Sequence, residues 1–309
     1  MPRPHLTSLT RRRLIGGSAV LAAGFAIGDV VAQTPVASPV AGDADHAALV
    51  DANWLAGHLD DPDRLPIALM PEADFEQAHI PGSFRIDWPD LEVVDTSDAG
   101  IAAWEKTVRE HIGDLHVVPE SKVVVYDNGT LFAARLWWVL RYLGHLDVSV
   151  LDGGLPAWQA AGEKTDTGPV VMTLEKRPPY AGAATPDLLA QHGEVLAAIG
   201  DPGVAFIDAR TAEEYAKGHI PGAVNVNYPE NASGDPLRWK PADELRRIYA
   251  AAGVTPELTV IPYCSSGVRS AVTAFTLALI GYPRVALYTG SWNEWSQLAD
   301  APVVTGSEP

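Results

Sequence analysis

The stretch Cys264-Ser265-Ser266-Gly267-Val268-Arg269 holds the sole cysteine of a 309-residue chain. The apolar run Thr259-Val260-Ile261-Pro262-Tyr263 leads into it, and a helical run over Ser270–Ile280 leads out. A strand that hands a cysteine to the start of a helix surrounds the sulfur with backbone N–H groups and with the partial positive charge of the helix N-terminus. Both favour the thiolate, which is the attacking form. Gly267 lets the backbone turn without a Cβ clash. A lone cysteine is more commonly a small buried hydrophobe. Ser-Ser-Gly-x-Arg, however, is a poor sequence for a core and a good one for an anion cradle.

Outward from this loop, short β-branched strands alternate with amphipathic helices. Strands are expected at Val204–Ile207, Val224–Val226, Thr259–Tyr263 and Val285–Tyr288, and helices at Ala212–Lys217, Ala242–Ala252 and Ser270–Ile280. Leu245, Ile248 and Tyr249 form an apolar stripe at helical spacing, bounded by Pro241 and Gly253. Continuous apolar strands between helices indicate a parallel sheet covered on both faces. In such folds the reactive loop lies beyond the carboxyl end of a strand, where Cys264 falls.

The pattern occurs twice, at a period of about 140 residues. His79-Ile80-Pro81-Gly82 returns as His219-Ile220-Pro221-Gly222, and Val123-Val124-Val125-Tyr126 as the strand before Cys264. Leu143-Gly144 returns as Ile280-Gly281, and Asp152-Gly153-Gly154 with Trp158 as Thr289-Gly290-Ser291 with Trp295. A period this long marks a duplicated domain, not a solenoid. The first copy carries Asp127 where the second carries Cys264. A carboxylate cannot replace a thiolate nucleophile, so this copy is expected to be catalytically inactive and to wall one side of a cleft.

The formal charge of −17 argues against nucleic acid or an anionic membrane as partner. One cysteine excludes an internal disulfide and any multi-cysteine metal site. Residues 1–32 read as a targeting signal: Arg11-Arg12-Arg13-Leu14-Ile15, an uncharged run to Gly28, and small residues at Val30-Val31-Ala32. The paired arginines resemble a twin-arginine signal, which places the mature protein outside the cytoplasm, in the periplasm or beyond the cytoplasmic membrane, with no lasting membrane association once cleaved. An uncleaved anchor is the alternative, although the run is short for a spanning helix. Residues 33–45 then read as a linker, 46–163 as the first domain, 164–184 as a second linker, 185–300 as the catalytic domain and 301–309 as a tail.

Together these residues resemble the tandem-domain rhodanese-like sulfurtransferases, the thiosulfate and 3-mercaptopyruvate sulfurtransferase family. The carriers are Asp208-Ala209-Arg210 with Glu214-Tyr215, Gly218 to Ala223, the Cys264 loop, Gly290 to Trp295, and in the first copy Tyr126-Asp127-Asn128-Gly129 and Ala134 to Trp138. The resemblance implies an α/β fold of two tandem rhodanese-like domains, each a parallel β-sheet covered by helices on both faces. It implies a ping-pong reaction in which Cys264 takes a sulfane sulfur from a small anionic donor, holds it as a persulfide and passes it on. The acceptor is thiophilic: cyanide, a thiol or a thioredoxin-like protein. No metal or organic cofactor is implied, and a monomer is expected.

Cys264 is thus the candidate nucleophile, and the N–H groups of Ser265, Ser266, Gly267, Val268 and Arg269 the candidate cradle. Ser266 either donates to substrate or caps the following helix. With neutral Ser265 and Ser266 the loop resembles the 3-mercaptopyruvate type, whereas Arg269 matches the general rhodanese form. Asp208, Arg210 and Glu214 are supporting residues: Glu214 is expected to pair with Arg210, and Arg269 with Asp208. Arg269 would then be spent, leaving Arg238 and Lys240 as candidates for the donor anion. His79 and His219 are expected to hold their turns, and Trp137, Trp138, Trp292 and Trp295 to pack. Two rival functions stay open. A cysteine phosphatase would need a Cys-x5-Arg ring wide enough for a phosphoryl group, one residue longer than the spacing here. A carrier would hold sulfane sulfur for a protein partner without efficient turnover.

Overall fold

A computed structural model describes residues 48–169 and 177–309. The signal and first linker expected over 1–45 lie outside the described residues. The first copy runs β1 (Leu49–Val50), α1 (Ala52–His58), β2 (Arg64–Leu69), α2 (Glu72–Gln77), β3 (Phe84–Ile86), a 3-10 turn (Trp88–Leu91), α3 (Asp98–Asp114), β4 (Lys122–Tyr126), α4 (Ala133–Tyr142), β5 (Val148–Leu151) and α5 (Gly154–Ala160). The second runs α6 (His192–Ala197), β6 (Val204–Asp208), α7 (Ala212–Lys217), β7 (Ala223–Asn225), the hairpin β8 (Ala232–Ser233) and β9 (Arg238–Trp239), α8 (Ala242–Ala251), β10 (Thr259–Tyr263), α9 (Val268–Leu279) and α10 (Ser291–Trp295).

The first sheet is wholly parallel in the order β1-β5-β4-β2-β3. Its central strands are buried on both faces, as the unbroken Val123-Val124-Val125 run requires. The second sheet has β10-β6-β7 in the same order. Its outer positions are single bridges, Val260 to Val285 and Leu189 to Leu287.

The strand expected at Val285–Tyr288 is therefore not continuous. Val260 donates to the Arg284 carbonyl, and Ala286 and Tyr288 donate to the carbonyls of Val260 and Pro262. Pro262 has no N–H to return the next bond, so the ladder breaks there. Other ends move by one or two residues: β6 runs to Asp208, β7 covers Ala223–Asn225, α8 stops at Ala251, and α9 covers Val268–Leu279, starting directly after Gly267 turns at φ 86°. Val268 and Arg269 thus belong to the first turn of a helix, not to the loop.

The two copies share a core. α4 packs on α9, and Phe275 meets Trp137 and Trp239 in T-shaped contacts at centroid distances of 4.9 and 5.0 Å. Ala271, Val272 and Phe275 are fully buried there beside Leu136 and Leu140. Each buried side chain of the size of Leu or Phe contributes about 1.5–3 kcal/mol. A polar clasp closes the same seam: Thr96 of the first copy donates its N–H and its hydroxyl to the Glu294 carboxylate, both at 2.7 Å. Near the second expected linker, Thr185 donates to Tyr142, and Arg109 donates to the carbonyls of Tyr180 and Gly182.

Candidate active site

Cys264 follows the last residue of β10 and is 1% exposed. Its sulfur accepts from the Gly267 N–H at 3.2 Å and from the Ser270 hydroxyl at 3.5 Å. Among the described residues Gly267 supplies the one backbone N–H on the sulfur; those of Ser265, Ser266, Val268 and Arg269 do not reach it. The cause is the early helix start. The Val268 and Arg269 N–H groups open α9, where no carbonyl precedes them, and stand at the positive end of the helix. Gly267 is required twice over: for its φ, and because a Cβ there would lie 2.7 Å from the Thr289 hydroxyl and 2.8 Å from the Thr289 carbonyl.

The backbone of Cys264 is pinned by α10. The Cys264 N–H donates to Ser291 Oγ at 3.1 Å, and Ser291 Oγ donates to the Tyr288 carbonyl at 2.9 Å. Trp292 and Asn293 donate to the carbonyls of Cys264 and Ser265. To make these contacts Ser291 adopts φ 56°, an uncommon angle for a residue other than glycine. Gly154, its counterpart in the first copy, has φ 55°. Ser270 and Ser291 were not assigned roles from the sequence; the replacement of Gly154 by Ser291 between copies was the available signal.

The ion pairs are exchanged relative to expectation. Arg210 grips Asp208, with Nε to Oδ1 at 3.0 Å and Nη2 to Oδ2 at 2.6 Å, and reaches the Gly218 carbonyl at 2.6 Å. It lies 4.5 Å from the Trp292 ring centroid. Burial opposes its charge, and Asp208 more than offsets that, so its pKa rises. Arg210 lies only two residues beyond Asp208, so its side chain folds back on that carboxylate. Glu214, third in α7, instead faces the loop. Its two oxygens accept from Arg269 Nη1 and Nη2, both at 2.8 Å. Arg269 holds the Glu214 carboxyl down to about 2. Glu214 also closes a capping box with Thr211. Arg269 further donates to Ser265 Oγ at 2.6 Å, so Ser265 is a brace. Ser266 does not cap α9, whose N-terminus has no side-chain cap.

Arg238 and Lys240 are engaged elsewhere. Arg238 donates to the Asp152 carbonyl at 3.3 Å and lies 3.6 Å from its carboxylate; Lys240 pairs with Glu244 at 3.1 Å. Neither makes a polar contact with the Cys264 loop. The two turn histidines do hold their turns: His79 and His219 bond the carbonyls of Phe75 and Tyr215 and stack on those rings at 3.9 and 3.7 Å. His79 does not meet Asp127.

In the first copy the Asp127 carboxylate stands where the sulfur stands in the second. It accepts from the N–H groups of Gly129, Thr130 and Ala133 at 2.7, 3.0 and 2.7 Å. Burial raises its pKa, and these three donors oppose the rise. Both loops thus hold an acceptor at the same place, the carboxylate on three backbone N–H groups and the sulfur on one N–H and a hydroxyl. Beside α10 lies a cleft of about 320 Å³ between the copies, lined by Glu92, Val93 and Val94 on one side and Gly290, Asn293 and Ser296 on the other.

A duplicated parallel α/β domain with one cysteine at a strand-to-helix turn defines the rhodanese class. The rhodanese-like domain model matches residues 51–161 and 191–298. The chain belongs to the tandem-domain rhodanese-like sulfurtransferases. It is 33% identical over 276 residues to the 3-mercaptopyruvate sulfurtransferase of Escherichia coli, covering 82% of this chain and 96% of that one. It is 31% identical over 277 residues to a thiosulfate sulfurtransferase of Pseudomonas aeruginosa, covering 84% and 98%. The crystal structure of the Escherichia coli 3-mercaptopyruvate enzyme superposes with a TM-score of 0.67 at 32% identity, over 79% of this chain and 98% of that one.

Proposed function

We propose that this enzyme moves a sulfane sulfur from thiosulfate or 3-mercaptopyruvate to a thiophilic acceptor through a persulfide on Cys264. The Cys264 thiolate attacks the outer sulfur of thiosulfate; the S–S bond breaks with its electron pair on sulfite, and Cys264 keeps the sulfur as a persulfide. Cyanide or a thiolate then attacks the terminal sulfur and returns the Cys264 thiolate. With 3-mercaptopyruvate the leaving carbon takes the electron pair and a proton to give pyruvate. The observation that carries this reading is the placement of the single cysteine, its sulfur on the Gly267 N–H and the Ser270 hydroxyl. Those donors serve thiolate and persulfide alike, since both are anions. The export expected from residues 1–32 is proposed alongside, and fractionation of cells carrying wild type or an Arg11→Lys, Arg12→Lys variant tests it.

Steady-state turnover with both donors and cyanide, wild type beside Cys264→Ser, tests the reaction. Turnover with one donor, lost in the variant, supports it and names the donor. No turnover with either donor overturns it; a persulfide seen by intact mass on Cys264 would then point to a carrier for a protein partner.

A further inference from the structure

An acid grips the reactive loop in both copies, and an arginine balances it in one. Asp74 and Glu214 each stand five residues before the histidine of a His-Ile-Pro-Gly turn. Asp74 accepts from Asn128 Nδ2 at 2.6 Å. The offset that carries Asp127 to Cys264 carries Asn128 to Ser265 and Phe132 to Arg269. In the first copy a carboxylate thus holds the residue after Asp127, with phenylalanine at the arginine's place. In the second copy Ser265 Oγ donates to Glu214 at 3.4 Å. Arg269 joins the two, donating to both Glu214 oxygens at 2.8 Å and to the same serine hydroxyl at 2.6 Å. Holding the loop does not by itself call for an arginine, yet the copy with the sulfur has one.

What Arg269 adds is charge. Glu214 is ionised, its carboxyl drawn down to about 2 chiefly by the Arg269 hydrogen bonds. Its partner Ser265 is the residue next to Cys264, so an unbalanced carboxylate there would repel an anion approaching the sulfur, and an arginine free of Glu214 would attract one. Arg269 feels both negative groups. Its pKa is raised chiefly by the hydrogen bonds to Glu214, against the opposing effect of burial, and further by the charge of Cys264. Arg210, at the end of the neighbouring strand β6, is closed on Asp208 in the same way. These two arginines and two acids match one to one, which leaves the rim of the loop without net charge.

The two candidate donors differ in charge. Thiosulfate brings two negative charges to the sulfur and leaves as sulfite, also a dianion. 3-Mercaptopyruvate brings one, on its carboxylate. A thiolate repels the dianion more strongly, and a rim with no spare cation does nothing to offset that.

We infer that Glu214 is a specificity-determining residue: by cancelling Arg269 beside Cys264 it turns the enzyme toward the singly charged donor, 3-mercaptopyruvate, and away from thiosulfate. This deepens the sulfurtransferase reading and rests on it.

The test compares two reagents of nearly equal size on the full reduced chain, the anion iodoacetate and the neutral iodoacetamide. With one cysteine per chain both alkylate Cys264, and the thiolate fraction cancels from the ratio of their rates. Glu214→Gln is expected to raise the iodoacetate-to-iodoacetamide ratio about fivefold, and kcat/KM for thiosulfate relative to 3-mercaptopyruvate by a similar factor. Arg269→Met, which leaves Glu214 unbalanced, is expected to lower both ratios. Loss of the clasp as a merely structural element would slow both reagents alike and leave their ratio unmoved. Wild type should favour 3-mercaptopyruvate. Ratios that stay put in Glu214→Gln, or a wild type that favours thiosulfate, overturn the inference. Should Glu214→Gln fail to fold, Arg269→Met decides: a fall in the ratios supports the inference and unmoved ratios overturn it. A wild type that turns over neither donor sinks the sulfurtransferase reading, while the alkylation ratio still reads the charge that Glu214 removes, so the two failures are told apart. A sulfur that neither reagent nor donor reaches overturns both.

Discussion

Arg269 and Glu214 clasp each other through two parallel hydrogen bonds of 2.8 Å, and that clasp closes the Cys264 loop against α7. Planar guanidinium and carboxylate match at two points, which fixes orientation as well as distance. The pair is partly exposed, so solvent screening trims its energy. Its main effect is geometric: it brings Ser265, through the Arg269 contact at 2.6 Å, into the same brace.

Glu214 sets a pH dependence. Its folded pKa, about 2, lies below its ordinary value, chiefly because of the Arg269 hydrogen bonds. A group depressed in this way stabilises the fold fully above its unfolded pKa and loses that effect as pH falls toward the folded value. The gap in melting temperature between wild type and Glu214→Gln should be full at neutral pH and close between about pH 4.5 and 2. A gap that stays constant across that window would contradict the assignment.

Ser270 donates the second hydrogen bond to the sulfur. A hydrogen bond to a charged group contributes about 1.5–3 kcal/mol, so Ser270→Ala should lower kcat/KM by tenfold or more, at about 1.4 kcal/mol per factor of ten. The fold should persist, since the change removes one hydroxyl. Circular dichroism beside steady-state kinetics checks both halves of the expectation.

Gly267→Ala should be severe. The added methyl would press on the backbone carbonyl of Thr289 at 2.8 Å, while φ 86° costs a residue with Cβ about 1–2 kcal/mol. Loss of turnover together with a lowered melting temperature is expected. An active, stable variant would mean that the turn is not held as described.

Thr96→Val removes the hydroxyl of the clasp and leaves Glu294 with the Thr96 N–H and the His192 ring at 3.4 Å. A buried carboxylate stripped of one strong donor costs about 1–3 kcal/mol. Chemical denaturation should show that loss. Turnover should fall with it, because α10 carries both Glu294 and the Ser291 that pins Cys264.

The duplication, the parallel sheets and the reactive loop were legible in the sequence because each depends on local pattern: a repeated His-Ile-Pro-Gly turn, runs of valine, and a cysteine between a strand and a glycine. Which carboxylate each arginine takes was not legible. Arg210 and Arg269 are both arginines near the same two acids, and only the direction in which α7 presents Glu214 separates them. The outer strand at Val285–Tyr288 read as continuous because propensity ignores the missing N–H of its neighbour Pro262. The clasp of Thr96 on Glu294 was hidden because its two partners lie 198 residues apart in the chain.

The packing of Phe275 between Trp137 and Trp239 also constrains how such a protein can evolve. The first copy has Asp127 where the second has its cysteine, yet it cannot be discarded. Deleting it would strand Phe275, Ala271 and Val272 in water and take Thr96 from Glu294. The duplication is in this sense irreversible. The first copy is held to its shape along the face of α4, where Trp137 meets Phe275.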